Sequence, residues 1–144
     1  MSNELLLDTG GLVSLLDRSQ RRHTDFLAFF ESWTGEVVST EAVLTEATHL
    51  LGRVSGGTTA CLDFFLKGGA ILVPSSSQSL QRCRQLMRKY RSLPMDYADA
   101  TLVVLAEDLD TGLILTTDQR DFSVYRRQGR KRFNIQPGYD ESLK

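Results

Sequence analysis

Residues 5–17, LLLDTGGLVSLLD, and residues 113–118, LILTTD, decide the fold. Leu5–Leu7 runs directly into Asp8, and Leu113–Leu115 runs through Thr116 and Thr117 into Asp118. A short, unbroken apolar run bounded by a turn signal reads as a strand buried on both faces, the pattern of parallel sheets. Asp8-Thr9-Gly10-Gly11 then reads as a tight turn into a helix over Leu12–Leu16. An aspartate so placed sits at the carboxyl end of its strand. In open parallel sheets that edge binds ligands, near the point where strand order reverses. Either acid alone reads equally well as a helix N-cap; two on one edge point to a site.

Outward from these runs the chain alternates strand and helix patterns. His23–Trp33 carries Phe26, Leu27, Phe29, Phe30 and Trp33 at helical spacing. Val37–Thr40 is a short strand pattern, with Thr40 as the cap of a helix over Glu41–Arg53. Thr58–Lys67 predicts a further helix, stopped by Gly68-Gly69, and Ala70–Val73 a third strand. A basic helix extends to about Ser92, a strong apolar one spans Asp96–Leu109, and Phe133–Ile135 predicts a fifth strand. Short apolar strands separated by helices imply βαβ units, hence an α/β fold with helices on both faces of a parallel sheet.

At 144 residues, 41% hydrophobic and 24% charged, the chain has the size and composition of a folded domain, and residues 1–144 read as one. No run approaches the ~20 apolar residues that cross a bilayer, and nothing resembles a signal peptide. Cys61 and Cys83 lie inside helical patterns without CxxC spacing, so they read as buried apolar residues of a reducing, cytoplasmic compartment. His23 and His49 have no evident catalytic partners, and neither GxxxxGK[ST] nor GxGxxG occurs, which disfavours nucleotide-triphosphate and dinucleotide binding.

Two further segments carry acids. In the helix from Glu41, apolar residues at 43, 47, 50 and 51 define one face, and Glu46 falls on it while Glu41 falls opposite. A carboxylate directed at a core costs several kcal/mol unless a cation or several donors compensate it, which favours Glu46 as a ligand. Asp96 and Asp99, three apart, open the next helix; Asp96 suits the N-cap after Pro94, and Asp99, against the run 100–103, is the better ligand. Asp8, Glu46, Asp99 and Asp118 are therefore expected to converge. Carboxylates at one point repel unless a divalent ion lies between them, and all-oxygen ligation suits Mg²⁺ or Mn²⁺ over zinc. Such sites hydrolyse phosphodiesters well.

The net charge of −1 hides two basic patches. Arg82, Arg84, Arg88, Lys89 and Arg91 form one; Arg120, Arg126, Arg127, Arg130, Lys131 and Arg132 form the other, and together they hold eleven of seventeen basic side chains. That distribution suits a polyanion's backbone. A solvated helix face and a soluble tail explain it equally well.

Four segments, LLLDTGGLVSLLD (5–17), VVSTEAVLTEATHLL (37–51), MDYADATLVVLAEDL (95–109) and LILTTDQRDFSVYR (113–126), resemble in order the PIN-domain ribonucleases, and within them the VapC-type toxins of VapBC toxin–antitoxin pairs. The resemblance implies a three-layer α/β/α PIN-like fold with about five parallel strands. It implies an Mg²⁺- or Mn²⁺-dependent endoribonuclease whose catalytic and metal-binding residues are Asp8, Glu46, Asp99 and Asp118. Thr116, Thr117, Asp96 and Asp121 support them, and Arg82, Arg84, Arg88, Lys89, Arg120, Arg126 and Arg127 are candidate RNA contacts. It also implies an RNA substrate, often a tRNA, inhibition by a cognate antitoxin, and a homodimer. Where many relatives carry proline after the first glycine this chain has Gly11, which is expected to loosen the turn. Two other readings remain: an antitoxin-independent PIN nuclease of RNA processing, and a non-catalytic RNA- or protein-binding PIN module.

Overall fold

A computed structural model describes residues 3–138. The chain runs β1 (Glu4–Leu7), α1 (Thr9–Leu16), α2 (His23–Ser32), β2 (Glu36–Thr40), α3 (Glu41–Leu51) and α4 (Gly57–Leu66). It continues β3 (Ile71–Val73), α5 (Ser77–Lys89), α6 (Tyr97–Leu109), β4 (Leu113–Leu115), α7 (Gln119–Val124) and β5 (Asn134–Gln136). All five strands are parallel, in the order β3-β2-β1-β4-β5. The chain therefore starts at the centre, winds outward to β3, then crosses back to β4 on the far side of β1. Right-handed crossovers in opposite directions place helices on opposite faces, giving three α/β/α layers.

That winding puts the reversal point between β1 and β4, whose registers pair Leu6 with Ile114 and Leu7 with Leu115. Leu5, Leu6 and Leu7 are all fully buried, as are Ile114 and Leu115. Consecutive buried residues mean that both strand faces are covered, the reason these runs do not alternate. Truncating any of these leucines to alanine would cost about 2–5 kcal/mol.

Local chemistry explains the helix starts. Thr40 Oγ1 accepts from the Val43 amide at 3.3 Å. Ser76 and Ser79 form a reciprocal capping box at α5. The Asp96 carboxylate accepts from the Asp99 amide at 2.8 Å, which makes it the cap of α6.

Two expectations are corrected. The helix after β1 begins at Thr9, so Gly10 and Gly11 lie in its first turn instead of in a turn before it. They let α1 approach β4 closely: a Cβ at Gly10 would overlap Thr117 Oγ1, and one at Gly11 would overlap the Leu115 carbonyl. The segment is tight, not loosened. α7 was not anticipated, because its six residues are too few to show helical periodicity. The Cys61 and Cys83 thiols are both buried and unpaired, as their setting implied.

Candidate metal and active site

Asp8 ends β1 and is buried. It stands at the N-cap position of α1 but makes no side-chain cap hydrogen bond. Instead Thr116, leaving β4, donates its hydroxyl to Asp8 Oδ2 at 2.6 Å and accepts from the Asp118 amide at 2.9 Å. One buried threonine thus ties the two strand-end acids across the reversal point. Burial raises the Asp8 pKa from 3.8 to about 6, with smaller upward contributions from Asp118 and Glu46, and the Thr116 hydrogen bond offsets part of this.

Asp118 caps α7 by accepting from the Asp121 amide at 3.0 Å. The capping and site readings of this residue are therefore compatible. Its pKa is raised, first by burial and then by the Asp121 charge. Asp99 reaches the same point from the first turn of α6: ligand oxygens of Asp99, Asp118 and Asp121 lie within 4.8 Å of one another. Burial, then the charges of Asp8, Asp96 and Asp118, push Asp99 up to about 8. Each shift has one origin: several carboxyls share a partly dry volume, and nothing cationic is among them.

Tyr125, which the sequence reading did not single out, donates its hydroxyl to Asp99 Oδ2 at 2.9 Å. Its ring is fully buried and packs edge-on against Tyr90 and Phe122, at centroid distances of 5.1 and 5.2 Å. The Tyr90 hydroxyl in turn accepts from the Arg126 amide at 3.0 Å. Tyr125 ends α7, whose six residues gave no periodic pattern on which to place it.

Glu46 departs from its expected setting. The buried stripe of α3 is Val43, Ala47 and Leu51, and Glu46 is exposed. Its carboxylate lines an open groove with Glu41, Asp96 and Tyr97, so Glu41 and Glu46 share that groove and do not face opposite ways. Partial desolvation there, then Asp96, raises its pKa. Glu46 contributes to the field that raises Asp8, whereas the close triad contains Asp121 in its place. A helix-wheel argument assigns a face to within one residue, and here that residue lies just beyond the edge of the buried stripe. Thr117 is exposed and packs over Gly10.

The basic residues divide. Arg82 forms a two-pronged pair with Glu107, both contacts at 2.9 Å. Arg126 donates to the carbonyls of Ser123, Val124 and Tyr125. Arg127 pairs with Asp110 at 3.7 Å and lies over the Phe133 ring at 5.9 Å. These three guanidiniums have partners within the fold. Arg84, Arg88, Lys89 and Arg120 are exposed.

The donor set fits a hard divalent cation. It offers carboxylate oxygens on three elements and no imidazole or thiolate, which suits Mg²⁺ or Mn²⁺. The buried Thr9 hydroxyl, next to Asp8, has no hydrogen-bond partner among the described residues. The raised pKa values report negative charge that a cation would balance.

No family model matches the chain. It is 29% identical over 135 residues to ribonuclease VapC26 of Mycobacterium tuberculosis, covering 92% of this chain and all of that protein. It superposes on the crystal structure of Mycobacterium tuberculosis VapC20, a sarcin-ricin loop cleaving toxin, with a TM-score of 0.75 at 17% identity, covering 81% of this chain and 91% of the other. It superposes on VapBC2 from Rickettsia felis, bound to a DNA fragment from the promoter, with a TM-score of 0.65 at 13% identity over 95% and 99% of the two chains. Among the described residues no helix is long and apolar enough to cross a membrane. The chain thus has the fold of these solved VapC structures and is similar over nearly its full length to a VapC ribonuclease.

Proposed function

We propose that the chain is a divalent-metal-dependent endoribonuclease that acts as the toxin of a toxin–antitoxin pair. The observation that carries this reading is the meeting of Asp99, Asp118 and Asp121 within 4.8 Å, beside buried Asp8, at the point where strand order reverses. Asp8, Asp99 and Asp118 are the proposed ligands, with Asp121 close enough to join them and Glu46 facing the site from across the groove. Asp96 and Thr116 hold ligands in place, and Thr117 closes over Gly10.

When bound, Mg²⁺ or Mn²⁺ would polarise a phosphodiester and lower the pKa of an attacking water. The protein's own part is orientation and proton balance. Thr116 fixes one Asp8 oxygen, Tyr125 fixes one Asp99 oxygen, and in each carboxylate the second oxygen remains for the cation. Asp8 and Asp99, whose pKa values are raised, would hold the cation as carboxylates, and any proton they carry would pass to solvent.

RNA as substrate and a cognate antitoxin as partner follow from the relatives, one a ribonuclease and another a VapBC pair. Within that reading the substrate is a structured RNA such as a tRNA, and the protein works in the cytoplasm. It acts as a homodimer that covers Leu66 of α4 and the edge strand β3, where Ile71 and Leu72 are exposed. The test is RNA cleavage by the purified chain with Mg²⁺ or Mn²⁺, with EDTA, and with Asp99→Asn. Cleavage should need the ion and vanish in the variant; cleavage that survives EDTA would refute the reading.

A further inference from the structure

Beside the carboxylates lies a groove that Arg120 of the second basic patch shares with the α1–α2 loop. It has a volume of about 500 Å³ and runs between the α1–α2 loop, which contributes Gln20, Arg21 and Arg22, and the start of α7, which contributes Gln119 and Arg120. Asp118 lines it as well, so groove and acid cluster are continuous. Its size falls within the ~300–1,000 Å³ of small-ligand clefts and accommodates one nucleotide.

The loop wall is built, not loose. Asp17 accepts from the Ser19 amide at 3.0 Å, the Ser19 hydroxyl at 2.7 Å and the Gln20 amide nitrogen at 3.0 Å. Arg22 bonds Asp25 at 3.1 Å and the Gly138 carbonyl at 3.0 Å, which anchors the wall at its far end. Arg21 and Arg120 are both exposed at the groove. Arg120 follows Asp118 by two residues, and its guanidinium has no hydrogen-bond or ion-pair partner among the described residues.

Cations one step from a tight group of acids suit a ligand with repeating negative charge. One phosphate would meet a cation held by the carboxylates, and the next would meet arginine. We infer that this groove is the subsite for the nucleotide adjoining the scissile phosphodiester, with Arg120 and Arg21 contacting its phosphate and the Gln20 and Gln119 amides facing its base. The inference rests on the nuclease reading above. It keeps Arg120 of the second basic patch as an RNA contact and adds Arg21 of the α1–α2 loop, which lies outside both patches.

The experiment measures binding of a fluorescent single-stranded RNA by anisotropy across a salt series, with Ca²⁺ replacing Mg²⁺ to slow cleavage. Arg120→Gln should weaken binding about 5-fold or more and reduce the slope of log K against log salt by about 0.7, the value for one phosphate contact on a single strand. Arg21→Gln should act in the same direction, and Lys67→Gln, at an exposed residue of neither basic patch, should change neither quantity. In Mg²⁺, Arg120→Gln should raise KM for cleavage with kcat nearly unchanged. Affinity and slope unchanged in both Arg120→Gln and Arg21→Gln would overturn the inference while leaving the nuclease reading intact. So would displacement of the RNA by a polyglutamate peptide at equal charge concentration, which would make the groove a peptide site. A parent chain that neither binds nor cleaves RNA would instead defeat the nuclease reading itself.

Discussion

Replacing Asp8 by asparagine should stabilise the metal-free protein at alkaline pH while removing its metal. Asp8 is buried, and its pKa rises from 3.8 to about 6 on folding. A carboxyl with a raised folded pKa favours the fold fully below its unfolded value. That advantage is lost as pH climbs through the folded value, so the cost of ionised Asp8 grows between pH 4 and 6 and is complete by pH 8. That rise corresponds to about 3 kcal/mol. Asparagine keeps an oxygen to accept from Thr116, but one buried amide N–H loses a partner at a cost of about 1 kcal/mol. The net gain is about 2 kcal/mol, which for a domain of this size raises Tm by about 6 °C. Thermal melts of parent and Asp8→Asn in EDTA should therefore differ by that amount at pH 8 and converge near pH 4.5. With Mn²⁺ added at pH 8 the order should invert, since only the parent gains from the ion. A variant that melts below the parent at pH 8, or by an equal margin at both pH values, would refute the electrostatic account of this residue.

Tyr125→Phe keeps the ring between Tyr90 and Phe122 but removes the donor to Asp99, a hydrogen bond to a charged group worth about 1.5–3 kcal/mol. Mn²⁺ affinity by calorimetry should fall about tenfold or more; unchanged affinity would show that Tyr125 does not orient the ligand. Because Asp8 and Asp99 hold protons up to about 6 and 8, Mn²⁺ affinity should rise steeply from pH 5.5 to 8 and then flatten. Titration in buffers of different ionisation enthalpy would count the protons released, and none released at pH 6 would contradict the raised values. Gly11→Ala forces a Cβ against the Leu115 carbonyl and should cost about 1–3 kcal/mol, read as a fall in the denaturation midpoint; an unchanged midpoint would mean that α1 moves away from β4 freely.

The amino-acid sequence by itself determined the parallel α/β plan and the strand-end acids. Leu5–Leu7 and Leu113–Leu115 are continuous apolar runs, which only a strand covered on both faces explains, and each points its following acid at the same sheet edge. Asp96 as a helix cap was equally legible, because capping is settled within four residues. Tertiary structure decided what depends on distance across the sheet. Asp121 rather than Glu46 completes the close triad, because α7 begins where Asp118 ends and turns Asp121 inward, while the buried stripe of α3 stops one residue short of Glu46. Tyr125 meets Asp99 across 26 residues of sequence, and Thr116 meets Asp8 across 108. Such partners leave no local pattern, since periodicity records which face a residue shares and not which distant side chain it will find there.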